Sequence, residues 1–181
     1  MKLKRQSLVS QGSLSRMLQA AAESWKRCDF QQSIGILERA SRLDPANSGI
    51  LLDLGNFYGN RYDYAAAERC FEKAVRLTPQ KTETLAIAGK LSRDFGNHAM
   101  AERYFQRALE AKANSPEILA RLAEVYERLR RLTEAVELTD RALRLDGAYA
   151  PALLLRAKLY RQAGQSSEAE KLLRPFLLSK A

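Results

Sequence analysis

Apolar and small residues in the middle of the chain recur every three or four positions, which is the spacing of one helix face. In the first half of segment 48–81 they are Leu51, Leu54, Gly55 and Tyr58. The polar run 60–63 then interrupts the pattern, and a second face of the same period follows over residues 64–75. Pro79 ends it, because proline lacks the N–H that continues a helix. Segment 48–81 is therefore predicted to be a helix, a tight turn, a second helix and another turn.

The same unit recurs along the chain with a fixed step of 34 residues. Two series of small residues keep this step: Ser33, Ala67, Ala101, Ala135 and Ala169, and Ala21, Gly55, Gly89, Ala123 and Ala157. A fixed period of this size is typical of stacked helical repeats. Small residues at fixed places predict that helix backbones approach closely there. Helices of about 12–14 residues are marginal alone in water, so stacking must stabilise them.

Segment 48–81 resembles the tetratricopeptide repeat, whose pattern is W-x2-L-G-x2-Y, A-x3-F and P. Here the pattern reads Leu51-x2-Leu54-Gly55-x2-Tyr58, Ala67-x3-Phe71 and Pro79, with leucine in place of tryptophan. The resemblance implies an all-α fold, a right-handed superhelical solenoid of five helix-turn-helix repeats. The repeats are expected at about 14–47, 48–81, 82–115, 116–149 and 150–181, and residues 1–13 are expected to form a basic, flexible segment.

In tetratricopeptide proteins the first helix of each repeat lines a concave groove. The resemblance therefore implies a protein-interaction scaffold that binds a peptide or helix of a partner protein there. The candidate contacts are polar residues on the groove side of the first helices: Lys26, Asn56, Asn60, Lys90, Arg93, Arg121, Arg128, Lys158 and Arg161. The carboxylates Glu117, Glu124 and Glu127 lie among these cations, so a partner with charges of both signs is expected. Simple solvation of exposed helix faces is the alternative, since charges at helical spacing support any helix.

Two groove positions each allow two interpretations. The Asn60 amide either pairs with the backbone of a bound peptide or terminates the helix at its turn. Trp25 is either an aromatic anchor for a partner or packs under the N-terminal segment. A carboxylate clamp of the co-chaperone type is not expected. Only Asn56 and Arg121 match its Lys, Asn, Asn, Lys and Arg pattern, and Glu117 would repel a carboxylate.

The last helix lacks the polar cap with which solenoids usually end. It contains the apolar residues Leu173, Phe176 and Leu177, and Pro175 is expected to kink or end it. We expect these apolar residues to form a second interface, with a partner or with a second copy of the chain. Alternatively, the chain is the N-terminal regulatory domain of a larger enzyme. Bacterial sulfotransferases with N-terminal tetratricopeptide arrays are similar to it in general style.

Charge and composition narrow the expected partners. The formal net charge is +9, of which residues 1–13 carry +3 and residues 150–181 carry +4. A nucleic-acid-binding repeat would show a continuous basic stripe, so nucleic acid is a less expected partner. No apolar run reaches the ~18 residues of a membrane span and no signal peptide is recognisable, so a cytoplasmic protein is expected.

Catalysis and cofactor binding are not expected. Cys28 and Cys70 predict two free thiols, and His98 is the only histidine, so no metal site is predicted. His98 takes the place of an aromatic residue at the head of a second helix and is interpreted as a packed or surface turn residue. No phosphate-binding glycine loop and no nucleophile motif occurs in the sequence. Neither a small-molecule substrate nor a cofactor is therefore predicted.

Overall fold

In the computed structural model, the described part of the chain consists of ten α-helices joined by short turns. The structure describes the backbone of residues 2–112 and 114–178 and the side chains of residues 12–112 and 114–175. The helices are α1 (Lys2–Lys26), α2 (Phe30–Leu43), α3 (Ser48–Asn60), α4 (Tyr64–Leu77), α5 (Lys81–Asp94), α6 (His98–Ala111), α7 (Pro116–Arg128), α8 (Leu132–Leu145), α9 (Ala150–Gln162) and α10 (Ser166–Leu178). The all-α fold class predicted from the sequence is confirmed.

The chain divides into two compact units, residues 1–80 and residues 81–181. Unit 1 contains the helical hairpins α1–α2 and α3–α4, and unit 2 contains the hairpins α5–α6, α7–α8 and α9–α10. In unit 2 the helix α7 contacts both α5 and α9. The first helices of three successive hairpins therefore lie side by side in unit 2.

The first helix begins earlier than the repeat pattern does. Helix α1 starts at Lys2, whereas the first repeat is expected to start near residue 14. The side chains of residues 1–11 lie outside the described part of the chain. The expectation that residues 1–13 form a flexible segment is therefore not tested and stays a prediction.

Each hairpin turns through one residue in the left-handed backbone region. These residues are spaced by 34 positions: Cys28 (φ 62°), Tyr62 (φ 66°), Gly96 (φ 86°), Arg130 (φ 62°) and Gly164 (φ 76°). In the fourth hairpin the Arg130 N–H donates to the Glu127 carbonyl (3.0 Å) and the Arg131 N–H donates to the Tyr126 carbonyl (2.9 Å). This pair of bonds is the Schellman motif that ends a helix. A side chain in this backbone region costs about 1–2 kcal/mol, so the three non-glycine turns are strained.

The residue after the turn immediately precedes the second helix. Asp29, Asp63 and Asn97 each accept a hydrogen bond from the backbone N–H three residues later, at 3.0 Å. Such a cap satisfies one of the N–H groups that a helix start leaves unpaired. The equivalent residue of the fourth hairpin, Arg131, makes no cap and instead donates to Glu102 at 2.7 Å. In the first three hairpins the local sequence thus fixes where the second helix begins.

The two helices of a hairpin approach closely where a small residue faces a large one. A β-carbon at Gly55 would lie 2.3 Å from the Phe71 ring, and one at Gly89 would lie 3.0 Å from the Phe105 ring. Both phenylalanine side chains are fully buried. The other hairpins carry alanine and a smaller partner at these positions: Ala21 with Leu37, Ala123 with Thr139 and Ala157 with Leu173. The residue on the first helix is thus smallest where its partner on the second helix is largest. This packing explains the small-residue series that contains Gly55 and Gly89.

Gly55→Ala tests this packing. The added methyl group would overlap the Phe71 ring, so we expect the free energy of unfolding to fall by about 1–3 kcal/mol. The steric overlap outweighs the stabilisation of about 1 kcal/mol that alanine, a better helix former than glycine, would otherwise give. Combination with Phe71→Leu reproduces the residue pair of the first hairpin, and the double variant should lose less than the sum of the single variants. Urea unfolding followed by circular dichroism measures each value.

Gly35→Ala is the matched control for this experiment. Gly35 also lies inside a helix of unit 1, but a β-carbon there would meet no neighbouring side chain or facing backbone within 4 Å. We expect this control to gain about 0.5–1 kcal/mol, because alanine restricts the unfolded chain. Equal effects of Gly55→Ala and Gly35→Ala would contradict the close approach of α3 and α4.

Arg130→Gly tests the strained turn. Glycine adopts a φ of 62° without the steric cost of a β-carbon, so we expect the variant to be about 1 kcal/mol more stable. Gly96→Ala introduces a β-carbon at the equivalent turn one repeat earlier and should destabilise by a similar amount. Thermal unfolding compares the two variants with the natural chain. A shift of Tm in the same direction for both variants would show that these turns store no strain.

Candidate functional site

An open groove runs along the first helices of unit 2. Its volume is about 990 Å³, and residues of α5, α7 and α9 line it together with Gly96 and His98 near the start of α6. Because α7 lies between α5 and α9, all three hairpins of the unit contribute to the groove. The tetratricopeptide resemblance implies a groove on the same surface, along the first helices of the hairpins.

Four of the nine predicted contact residues line this groove: Arg93, Arg121, Arg128 and Lys158. Lys90 and Arg161 lie on the helices α5 and α9 but are not among the residues that line it. Lys26, Asn56 and Asn60 belong to unit 1, at the end of α1 and on α3. The candidate residues are thus divided between the two units, and the groove of unit 2 unites one group of them.

Two of the groove cations form ion pairs between neighbouring hairpins. Arg93 on α5 pairs with Glu124 on α7, and also with Asp94 at 2.9 Å. Lys158 on α9 pairs with Glu127 on α7 at 2.9 Å. These two pairs join the three first helices across the groove, so both cations are occupied within the chain.

Glu127 is the most enclosed charged group of the groove. Its side chain is only 9% exposed, and its two carboxylate oxygens accept hydrogen bonds from Lys158 (2.9 Å) and Gln162 (2.8 Å). Burial alone would raise the pKa of the Glu127 carboxyl, but these bonds and the nearby positive charges outweigh burial and lower it. Glu127 is therefore a structural anion that holds α9 against α7.

The other two groove cations are differently placed. Arg121 donates to Glu117, one turn away on the same helix, at 2.9 Å and 3.1 Å, and the Glu117 side chain is 57% exposed. Arg128 is exposed, and the described part of the chain offers it no ion pair. Exposed pairs such as Arg121–Glu117 contribute little to stability, so both cations remain accessible to a ligand.

Apolar side chains lie beside these cations. Leu154 is 58% exposed, and it lines the groove together with Pro151 and the buried Leu155, all on α9. A large apolar side chain that is this exposed in a concave site is available to contact a ligand.

His98 also lines the groove, whereas the sequence predicted only a packed or surface turn residue at the head of a second helix. Its Nδ1 atom is buried and finds no hydrogen-bond partner among the residues that the structure describes. Burial and the positive charges of Arg128 and Arg93 lower the pKa of His98, so the ring is neutral at neutral pH. Its position could not be read from the repeat pattern, because the pattern gives the helix start but not the direction of the ring.

The asparagine pair of unit 1 is partly used within α3. The Asn60 side-chain amide donates to the Asn56 carbonyl (2.8 Å) and to the Asn56 side-chain oxygen (3.0 Å). These bonds favour the interpretation that Asn60 terminates the helix. Lys26 is exposed at the end of α1.

Trp25 is held by other aromatic residues of unit 1. Its ring stacks on Phe57 with centroids 4.0 Å apart and meets the edge of Phe30 at 4.6 Å. The guanidinium of Arg61 lies 5.7 Å from the Phe30 ring centroid. Trp25 therefore packs between the first two hairpins rather than standing free as an anchor.

The C-terminal surface is described only in part. Leu173 is half-buried in α10, and the side chains of Phe176 and Leu177 lie outside the described residues. Helix α10 continues past Pro175 to Leu178, so the proline does not end it. The interface expected at Leu173, Phe176 and Leu177 stays a prediction.

Two further searches cover the described residues alone. Within them, no three His, Cys, Asp or Glu side chains form a group that could hold a metal ion. None of the helices described is both long enough and apolar enough to pass through a bilayer. Cys28 is exposed and Cys70 is half-buried, and neither forms a disulfide.

Sequence comparison agrees with the hairpin arrangement. Two models of the tetratricopeptide repeat match the chain, one over residues 93–146 and the other over residues 49–78. No curated protein sequence matches the chain. The matched segments cover α3, α4, α6, α7 and α8.

Solved structures share the fold at low sequence identity. A structure of MamA has a TM-score of 0.63 and 21% identity, and the match covers 88% of this chain and 94% of MamA. YrrB, a TPR protein with an unusual peptide-binding site, has a TM-score of 0.57 and 20% identity over 87% of this chain and 81% of YrrB. A tetratricopeptide repeat protein from Parabacteroides merdae has a TM-score of 0.64 and 20% identity over 93% and 67% of the two chains. Repeat spacing, helical hairpins and matching sequence models agree, and the chain is a tetratricopeptide repeat protein.

Proposed function

We propose that this protein is an interaction scaffold and that the groove of unit 2 binds a peptide or helix of a partner protein. Tetratricopeptide repeat proteins are typically non-enzymatic scaffolds, and the structural neighbour YrrB has a peptide-binding site. The observation that carries the proposal is the groove itself, about 990 Å³ of open concave space with accessible cations beside exposed apolar surface.

The ion pairs between hairpins support the same proposal. They join α5, α7 and α9 to one another in the protein without a partner, so the groove is already formed. A preformed site binds more tightly because little conformational entropy is lost on association. The groove lining also includes the exposed apolar side chain of Leu154, which favours a protein ligand over a phosphate backbone.

Partner capture tests the proposal directly. A variant with Leu154→Lys and Arg121→Glu changes one apolar and one basic residue of the groove. The matched variant with Leu145→Lys and Arg141→Glu makes the same changes on exposed positions of α8. We expect the groove variant to lose about tenfold or more of the protein captured from a lysate of the source organism, because both changes remove favourable contacts.

Quantitative mass spectrometry of the captured proteins measures the loss, and circular dichroism checks that both variants keep their helicity. The α8 variant should capture as much as the natural chain. Equal capture by the two variants would place the partner elsewhere and overturn the proposal.

The groove also depends on Glu127, which gives it a predicted acid sensitivity. Glu127→Gln removes the anion that holds Lys158, and we expect the free energy of unfolding at neutral pH to fall by about 1–3 kcal/mol. Because folding lowers the pKa of Glu127, its ionised form stabilises the protein above the unfolded-state value of about 4.3. This contribution disappears as the pH falls below that value and through the lower folded-state pKa.

Urea unfolding of the natural chain and the Glu127→Gln variant over a pH series measures this effect. The difference in stability between the two proteins should be full at neutral pH and should shrink steadily below about pH 4.3. A difference that is constant over the whole series would show that the Glu127 charge does not hold the groove.

A further inference from the structure

The four cations of the unit 2 groove divide into two kinds. Arg93 and Lys158 neutralise carboxylates of the neighbouring hairpin. If a ligand bound Lys158 in place of Glu127, the Glu127 carboxylate would lose its counterion. The Glu127 side chain is only 9% exposed. Removing one partner of an enclosed ion pair is costly, so Lys158 is not available for recognition. Arg93 is held by two carboxylates at once, those of Asp94 and Glu124.

Arg121 and Arg128 are available. They lie seven positions apart on α7, which places them on the same helix face about two turns, or about 10 Å, apart. Arg128 has no ion pair within the described residues, and Arg121 is held only by the exposed Glu117 of its own helix. A ligand carboxylate can therefore meet the unpaired charge of Arg128. A second can bind Arg121 once the 57% exposed Glu117 side chain, which would otherwise repel it, rotates into solvent.

The carboxylates that line the groove do not compete for these two cations. Asp94 pairs with Lys90 (3.5 Å) and with Arg93 (2.9 Å). Glu124 pairs with Arg93 and Glu127 pairs with Lys158. Since each lining carboxylate has a partner and His98 is neutral at neutral pH, the unbalanced charge that a ligand meets is positive.

Helix α9 adds apolar surface to the groove beside Lys158. Leu154 on α9 exposes 58% of its surface, and Pro151 and Leu155 lie beside it. A ligand that covers Leu154 would remove apolar surface from water on one side while its carboxylates meet α7 on the other.

We propose that the unit 2 groove selects an acidic peptide segment in which leucine-like apolar side chains alternate with carboxylates. Arg121 and Arg128 bind the carboxylates, and Leu154 with Pro151 receives an apolar side chain. This inference rests on the proposed function of the groove and specifies the chemistry of its ligand. The ion pairs of Arg93 and of Lys158 with Glu127 keep the helices of the groove in place and do not determine which ligand binds.

Defined peptides test this selectivity with the full chain. The probe is a fluorescein-labelled peptide of alternating leucine and glutamate, and its two counterparts carry glutamine or lysine in place of glutamate. We expect fluorescence polarisation to show about tenfold tighter binding of the glutamate peptide than of either counterpart. Its affinity should fall at high salt, because its charges lie on an accessible surface.

Two variants connect the selectivity to named residues. Arg128→Glu should weaken the glutamate peptide about tenfold and narrow the gap to the glutamine peptide. Leu154→Ser should weaken the glutamate and glutamine peptides alike, since it removes only apolar contact. Arg144→Glu, an exposed position of α8, is the control and should change nothing.

Failure of the inference is distinct from failure of the proposed function. Equal binding of the glutamate and glutamine peptides, no binding of the glutamate peptide, or an unchanged affinity in Arg128→Glu would each overturn the inference. Tighter binding of a single-stranded oligonucleotide than of the glutamate peptide would also overturn it. If capture from lysate nevertheless depends on Leu154 and Arg121, the groove is the binding site and only its assigned ligand chemistry is wrong.

Discussion

The close approach of the two helices in a hairpin is the constraint on which the rest of the structure depends. A β-carbon on Gly55 would lie closer to the Phe71 ring than ordinary van der Waals contact allows, and the same holds for Gly89 and Phe105. The four helices that carry these residues, α3 to α6, have only 13 or 14 residues each, so burial against a partner helix must stabilise them. The hairpin is consequently the unit that folds and stacks, and the 34-residue step carries the same contact into each repeat.

Stacking then determines the groove. In unit 2 the helix α7 lies against both α5 and α9, and ion pairs join it to each of them. These pairs engage Arg93, Lys158 and the enclosed Glu127, and we propose that Arg121 and Arg128 are the cations that meet a ligand. The same kind of residue thus has a structural role at two positions of the groove and a proposed recognition role at two others.

The sequence predicted the fold better than it predicted the site. The 34-residue period of small residues predicted the hairpins, because two helix backbones can approach closely only where the side chains between them are small. It did not predict the left-handed turns at Tyr62 and Arg130, since neither residue is one that usually adopts this conformation. It also grouped Glu127 with accessible groove charges, because the two residues that enclose it lie 31 and 35 positions away on the next hairpin. Helical spacing gives the face on which a residue lies, whereas ion pairing depends on the reach of side chains between stacked helices.

The most direct test that a partner binds in the unit 2 groove is site-specific photocrosslinking in a lysate of the source organism. A photoreactive amino acid at Leu154 lies in the groove, and one at Leu145 is similarly exposed at the end of α8, with exposed fractions of 58% and 47%. We expect a partner protein to crosslink from Leu154 and not from Leu145, and an excess of the leucine–glutamate peptide to abolish the crosslink. Crosslinking from Leu145 alone, or equally from both positions, would contradict the assignment of the groove as the binding surface.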